Sequence, residues 1–287
     1  MESFVLNDGS RIPQIGFGTY QILSEEPVLK AVEAGFRFFD TASLYRTERI
    51  LGNALRMSGL PRDRFIIETK LWIDEMDDPA AALERSLRRL GTDYVDIFMI
   101  HWPRATGKPD EPWKEKDLET YFRMEKLVSA GKTRRLGLSN FLPHHLRNIL
   151  ENSTVPPAVD QLELHPGCSQ EAAVAYCQAN HVLPMAWSPF GRGDRNAAEA
   201  NAVIMRLADK YGKSAQQINL RFLLQKGILP IPKAASEAHI RANLDVFDFS
   251  LTEDEISMLS CMPQTTWLGE HPDFNIPAAR SAPEDLA

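Results

Sequence analysis

Residues 65–101 read FIIETKLWIDEMDDPAAALERSLRRLGTDYVDIFMIH. Two short apolar runs, 65–71 and 95–100, flank an amphipathic stretch from Pro79 to Leu90. Proline opens that stretch and Gly91 follows its last residue, the start–stop asymmetry expected of a helix. The first run closes on Glu68-Thr69-Lys70. The second stops abruptly at His101. A lone imidazole at a strand end is ordinarily a core histidine with a hydrogen-bond partner, so its meaning depends on the rest of the chain.

The strand–helix alternation extends in both directions. Short apolar runs lie at 15–20, 36–41, 65–71, 95–101, 135–139, 158–164, 183–188 and 228–231, which makes eight. Helical stretches lie between and after them at 27–34, 46–57, 79–90, 117–130, 143–152, 170–180, 214–225 and 236–244. In 46–57, Ile50, Leu51, Ala54 and Leu55 share one face. Two extra helices are expected at 197–211 and 251–261, the latter opening on Thr252-Glu253-Asp254-Glu255, a capping-box start. Alternation of this kind implies a parallel sheet covered by helices. Eight units in 287 residues fit an α/β fold of the (β/α)8 TIM-barrel type, typically ~250 residues. Residues 1–14 have the pattern of a β-hairpin cap. No Ser/Gly/Pro linker divides the chain, so 1–287 is expected to be a single domain, with an irregular Pro-rich tail at 262–287 near the barrel mouth.

A net charge of −7 disfavours nucleic acid and anionic membranes as partners. The N-terminus lacks the basic region of a signal peptide, and no run reaches the ~18 apolar residues of a spanning helix. Cys168, Cys177 and Cys261 are odd in number and lack CxxC spacing. They read as reduced thiols of a cytoplasmic protein without a metal site. His144-His145 reads as part of a solvated helix face. Gly16-Phe17-Gly18 starts like a dinucleotide fingerprint but lacks the third glycine, so close backbone packing is the expected role.

In such a barrel the chemistry sits at the C-terminal ends of the strands. Those positions hold Asp40, Tyr45, Lys70 and His101. Aspartate and lysine are rarely buried unless paired, so Asp40 and Lys70 are expected to pair. The ammonium is then expected to lower the pKa of the Tyr45 phenol and make it a general acid. His101 beside it would orient the same substrate oxygen. A carbonyl that gains a proton on oxygen and a hydride on carbon suits this set.

These residues carry a family resemblance. FDTASLYRTE (39–48), ETKLW (68–72), IHWP (100–103), GLSNF (137–141), QLELHP (161–166), WSPFG (187–191) and IPKAAS with Asn243 (231–243) occur in order. The chain resembles an aldo-keto reductase over nearly its full length, with Asp40, Tyr45, Lys70 and His101 matching the catalytic tetrad. The resemblance implies NADPH-dependent reduction of an aldehyde or ketone. It places Ser139, Asn140 and Gln161 at the nicotinamide carboxamide, with Trp187 stacked on the ring where a tyrosine is usual. Ser188, Phe190 and Gly191 fall at the pyrophosphate, with Arg192 and Arg195 in the same loop.

Lys233 falls at the 2′-phosphate and Asn243 at adenine. His239 stands where an arginine is usual, Ala234 replaces a common serine and Ala242 a common glutamate, while Ser236 offers a hydroxyl. Loss of that permanently charged fork implies a weakened preference for NADPH, with NADH as the poorer alternative. Tyr20, Trp72, Trp102, Trp113 and Trp267 are the candidate substrate wall, around a pocket expected to be small and open. Three other readings compete: an alcohol or sugar dehydrogenase running in the oxidative direction, a non-catalytic cofactor-sensing subunit, and a barrel hydrolase using Asp40 and Glu163. The last leaves Lys70 and Tyr45 unexplained. Nothing in the sequence demands more than a monomer.

Overall fold

The protein is described from a computed structural model covering residues 3–104, 112–191, 201–264 and 271–273. An antiparallel pair, β1 (Ser3–Val5) and β2 (Arg11–Pro13), comes first. It is followed by β3 (Phe17–Gly18), α1 (Glu25–Ala34), β4 (Phe38–Asp40), α2 (Glu48–Met57), β5 (Ile66–Leu71), α3 (Pro79–Leu90) and β6 (Val95–Ile100). The second half contains α4 (Trp113–Ser129), β7 (Thr133–Ser139), α5 (Pro143–Asn152), β8 (Val159–Glu163), α6 (Glu171–Ala179), β9 (Leu183–Trp187), α7 (Ala202–Tyr211), α8 (Ala215–Gln225), β10 (Leu229–Pro230), α9 (Glu237–Leu244) and α10 (Glu253–Ser260).

Seven of the eight expected apolar runs contain one of β3 to β10, and β7 starts two residues before its run, at Thr133. All eight pair in parallel, each with its sequence neighbour. The ends of this sheet also meet, because Gly16 N–H donates to Pro230 O and Gly18 N–H to Pro232 O, both at 3.0 Å. Those bonds close the (β/α)8 barrel. They also explain the Gly-x-Gly pair. A Cβ on Gly16 would lie 2.7 Å from the Phe38 ring, and one on Gly18 would lie 3.3 Å from Ile231. Close packing at the seam, not a phosphate turn, requires them.

Local signals set the helix ends. Asp78 Oδ1 accepts from Ala81 N–H at 3.0 Å ahead of Pro79, and α3 stops at Gly91 in the left-handed region (φ 67°). Thr252 and Glu255 form the reciprocal capping box of α10. Helix α4 begins at Trp113, four residues before the expected start at 117. Its first turn, WKEK, carries no apolar periodicity for a sequence reading to find.

Inside the barrel the strands lay down two layers. The lower one is apolar: Phe38, Ile97, Met99, Val159, Met185, Leu229 and Ile231 pack with Leu6 and Ile12 of the N-terminal hairpin segment. That hairpin is tied to the strand starts by Asn7 Nδ2 donating to Pro157 O (2.9 Å) and by the Arg135–Asp8 pair (2.6 Å). The upper layer is polar. Residues two apart share a face of a strand, so Glu68 and Lys70 of β5 both point inward. Thr69 between them points outward, where its hydroxyl donates to the buried Glu48 of α2 at 2.6 Å. Arg89 of α3 completes that bond network by donating to Glu48 at 2.5 Å.

Helices α2 and α3 touch at Gly52, where an added Cβ would lie 2.0 Å from the Leu90 carbonyl oxygen. Ala in place of Gly gains up to ~1 kcal/mol in helix propensity. A clash with backbone costs more, because the carbonyl cannot rotate away as a side chain can. Gly52→Ala is therefore expected to destabilise the fold by about 1–3 kcal/mol. Urea denaturation measures this, and an unchanged or raised midpoint would refute it.

Candidate active site

Asp40 ends β4, and its backbone pairs with Glu68 of β5. Lys70 lies one inward step further along. Its Nζ forms a short charge-assisted contact with Asp40 Oδ1, donates to Thr41 O at 2.9 Å and lies 3.5 Å from Glu68 Oε1. Lys70 and Glu68 are both fully buried. Burial works against the ammonium, but Asp40, Tyr45 and Glu68 outweigh it and hold the Lys70 pKa above its usual 10.5. Lys70 is thus a permanent cation at the floor of the mouth, and the expected Asp40–Lys70 pairing is present.

Tyr45 reaches this floor from a single helical turn, Ser43–Tyr45, that follows β4 and ends at Arg46 in the left-handed region (φ 57°). The turn is anchored at both sides. Ser43 Oγ donates to Glu75 at 2.7 Å, and the Thr47 hydroxyl lies 2.9 Å from that of Thr19 and 3.1 Å from that of Thr41. The Tyr45 hydroxyl comes to 3.5 Å from His101 Nε2, and Lys70 Nζ lies 5.1 Å from the centre of the phenol ring. The four candidate catalytic residues therefore converge.

The electrostatics differ from the sequence expectation in one respect. Tyr45 is half-buried, yet its surroundings are dense enough for burial to raise the phenol pKa above its usual 10.0. Lys70 lowers it, as expected, but Asp40 and Glu68 add to the burial effect and the net direction is upward. His101 moves the other way. Burial and then the Lys70 charge hold it well below 6.5, so it is a neutral imidazole. Its Nδ1 is buried without a hydrogen bond. With its hydrogen on Nε2, it presents a donor beside the Tyr45 hydroxyl.

The residues expected at the carboxamide form a connected set. Trp187 Nε1 donates to Asn140 Oδ1 at 2.9 Å, and Asn140 Nδ2 donates to His101 O at 3.0 Å and Ser139 Oγ at 3.1 Å. Ser139 Oγ donates to Gln161 O at 3.0 Å. Asn140 (φ 64°) and Ser188 (φ 48°) both adopt left-handed backbone, strain that a non-glycine residue adopts only under local constraint. Gln161 Nε2 donates to Asp40 Oδ1 and Glu68 Oε1, both at 2.8 Å.

Ser188 and Gly191 close a turn through Gly191 N–H to Ser188 O at 2.9 Å, and Phe190 packs half-buried beside the core. Lys233, Ser236 and His239 are exposed together before and in the first turn of α9, with Ser236 as its N-cap. Asn243 is buried, and its Nδ2 has no partner. An orphaned buried donor is a group that an adenine ring nitrogen satisfies, so these residues fit an adenine nucleotide. Arg192 and Arg195 lie outside the described residues.

Of the expected substrate wall, Tyr20 and Trp72 stand at the site. The Tyr20 ring packs edge-on to Tyr45 at 5.1 Å and the Trp72 ring to His101 at 5.2 Å. Trp102, one residue past His101, is buried in the same apolar cluster as Trp72. Trp113 packs against His145 at 4.9 Å and His144 at 5.9 Å. Trp267 lies outside the described residues.

The reading of His144-His145 as a solvated face fails for His145, which is fully buried. Tertiary contact overrides the local polarity here. Leu142 N–H donates to His145 Nδ1 (3.1 Å), and Asp273 of the tail approaches His144 Nε2 (2.9 Å) and His145 Nε2 (3.0 Å). Burial and His144 push the His145 pKa down to about 3. These three residues have the spacing of a metal cluster. The Leu142 bond, however, requires the free lone pair on Nδ1 and so puts the hydrogen of neutral His145 on Nε2. His145 Nε2 lies 3.0 Å from Asp273 without a hydrogen bond, so His144 is what holds this tail residue, and the hydrogen kept on Nε2 makes the cluster a poor metal cradle.

Sequence reading also passed over Glu68 as a site residue. Its signal was present, since it lies two positions before Lys70 in the same strand.

A barrel whose mouth gathers a phenol, a neutral imidazole and a buried ammonium–carboxylate pair is a carbonyl-reducing oxidoreductase fold. The aldo/keto reductase family model matches residues 14–261. The chain is 36% identical over 272 residues to the methylglyoxal reductase DkgA of Escherichia coli K12, covering 93% of this chain and 96% of that protein. It is 35% identical over 283 residues to the 9,11-endoperoxide prostaglandin H2 reductase of Trypanosoma cruzi, covering 96% and 97%. Among solved structures it superposes on a silkworm aldo-keto reductase complexed with NADPH with a TM-score of 0.84, at 33% identity over 92% of this chain and 88% of that one. The chain belongs to the aldo/keto reductase family, and its reaction is the NADPH-dependent reduction of a carbonyl.

The two pKa directions fix the pH behaviour. Neutral His101 persists at every pH above its lowered value, and protonated Tyr45 at every pH below its raised one. The expected kcat/KM is therefore level from about pH 6 to about pH 9, measured over the ordinary ranges of free imidazole and phenol. An acid limb with its midpoint near 6.5 would show that His101 titrates as a free imidazole and overturn the assignment.

Proposed function

We propose that Tyr45 is the proton donor, with His101 orienting the substrate oxygen and Lys70 stabilising the phenolate left behind. The convergence of Tyr45, His101 and the Lys70–Asp40 pair at one mouth carries this reading. Bound NADPH supplies the hydride. The carbonyl oxygen sits between the Tyr45 hydroxyl and His101 Nε2 and accepts from both. As negative charge grows on that oxygen, it becomes a stronger base than the phenolate, so the proton moves from Tyr45 despite its raised pKa. Asp40 keeps Lys70 charged throughout. Run backwards, the same groups oxidise an alcohol, and cofactor supply sets the direction.

Ser139, Asn140 and Gln161 would hold the nicotinamide carboxamide, Trp187 its ring, and Ser188, Phe190 and Gly191 the pyrophosphate. Lys233, Ser236 and His239 would meet the 2′-phosphate and Asn243 the adenine. Lys233 supports a preference for NADPH, and His239 in place of a guanidinium supports a modest one.

The two relatives differ in the substrates their names state, at nearly equal identity, so neither name transfers by similarity. Tyr20 and Trp72 flanking the acid and the imidazole favour a small aldehyde or ketoaldehyde. Two buried free thiols, Cys168 and Cys177, suit a reducing compartment and hence the cytoplasm. The exposed large apolar residues, among them Val5, Leu23, Phe122 and Met258, are scattered singly over separate elements, which favours a monomer.

The central assignment is tested by following NADPH consumption with a panel of aldehydes that includes methylglyoxal. Tyr45→Phe is expected to lower kcat by about 10²–10⁴. A mutant as active as wild type would remove Tyr45 from the role of acid, and a wild type inert to the whole panel would favour a cofactor-sensing role. Repeating the assay with NADH is expected to give the lower kcat/KM; the reverse order would refute the role of Lys233. Light scattering after size exclusion should return the 32.4 kDa of one chain, and twice that mass would exclude the monomer.

A further inference from the structure

The catalytic floor contains a second acid that the mechanism above does not use. Glu68 is fully buried, shares the inward face of β5 with Lys70, and is aligned in the sheet with Asp40. Two carboxyl groups therefore face one ammonium in a layer closed from below by the apolar hairpin plug. The atom joining them is Gln161 Nε2, 2.8 Å from Asp40 Oδ1 and 2.8 Å from Glu68 Oε1. Turning this amide over would aim its oxygen at two carboxyl oxygens, so its orientation is decided by its partners. Both N–H groups are committed, and Oε1 on the other branch of the amide is the acceptor still available.

We propose that Glu68 is a positioning residue for the cofactor subsite: with Asp40 it clamps the amide nitrogen of Gln161 and so fixes Gln161 Oε1 as the acceptor for the nicotinamide carboxamide. The inference rests on the cofactor reading given above. Asp40 alone leaves one N–H of Gln161 without an acceptor, and a singly held amide rotates about its terminal torsion. Glu68 supplies the second point. The task needs only an acceptor oxygen. Burial, reinforced by the Asp40 charge and a hydrogen bond to Asp40, raises its pKa well above 4.5 against the pull of Lys70.

A neutral acceptor of the same shape should serve equally well. The test measures NADPH binding by quenching of tryptophan fluorescence, without substrate, beside kcat at saturating NADPH and methylglyoxal. Glu68→Leu is expected to raise the NADPH Kd about tenfold, the size of one lost buried hydrogen bond. Glu68→Gln should stay within about threefold of wild type in both. Gln161→Leu should weaken binding by a similar factor, and Glu68→Leu added to it should weaken it no further.

The proposal is overturned if Glu68→Leu binds NADPH as wild type does. It is also overturned if Glu68→Gln is as weak as Glu68→Leu, since the residue would then act through its charge, or if the two leucine losses multiply. Should circular dichroism show Glu68→Leu unfolded, Glu68→Met replaces it with the same expectations. A wild-type protein that fails to bind NADPH at all would refute the cofactor reading itself and is told apart by that result.

Discussion

The ion pair between Lys70 and Asp40 is the constraint around which the site is arranged. Burying two charges costs several kcal/mol per ion in desolvation, and their attraction returns this only with good geometry and further hydrogen bonds. The surroundings meet that condition. The Thr41 carbonyl takes one ammonium hydrogen, Gln161 donates to Asp40, and Glu68 stands close behind. Such a pair adds little to stability compared with apolar packing. Its value lies in keeping a cation of fixed position below the Tyr45 phenol, where a solvated lysine would be mobile and screened.

Everything below this layer is ordinary packing, and it makes the layer possible. The hairpin segment fills the lower end of the barrel with Leu6 and Ile12, which keeps water from the underside of the polar floor. The seam between the first and last strands depends on two glycines, because a side chain on either would push the Phe38 ring or Ile231 away. The groups proposed for catalysis thus sit on a closed ring of strands, with Tyr45 reaching in from a hydrogen-bonded turn. Rigid support of this kind holds reacting groups in register before substrate arrives.

Much of this was legible in the chain. The alternation of strand and helix, the Pro79 and Gly91 punctuation, the Thr252 capping box and the polar residues at strand ends are local patterns, and each appears in the structure where the pattern placed it. What escaped was non-local. His145 looked like surface because its neighbours are polar, yet Leu142, Trp113 and Asp273 enclose it. Glu68 was visible as a buried-face residue by its spacing from Lys70, and its partners were not.

The sequence by itself determined the fold class, the pairing of Asp40 with Lys70 and the four residues at the mouth, because strand periodicity and the rarity of unpaired buried charge act through local pattern and composition. Only the tertiary structure decided the sign of the Tyr45 pKa shift. A neighbouring ammonium lowers it, but burial and two nearby carboxyls raise it further, and the balance depends on distances that no spacing along the chain records. The same is true of Gln161, whose orientation is set by Asp40 and Glu68 reaching it from strands about a hundred residues away in the chain.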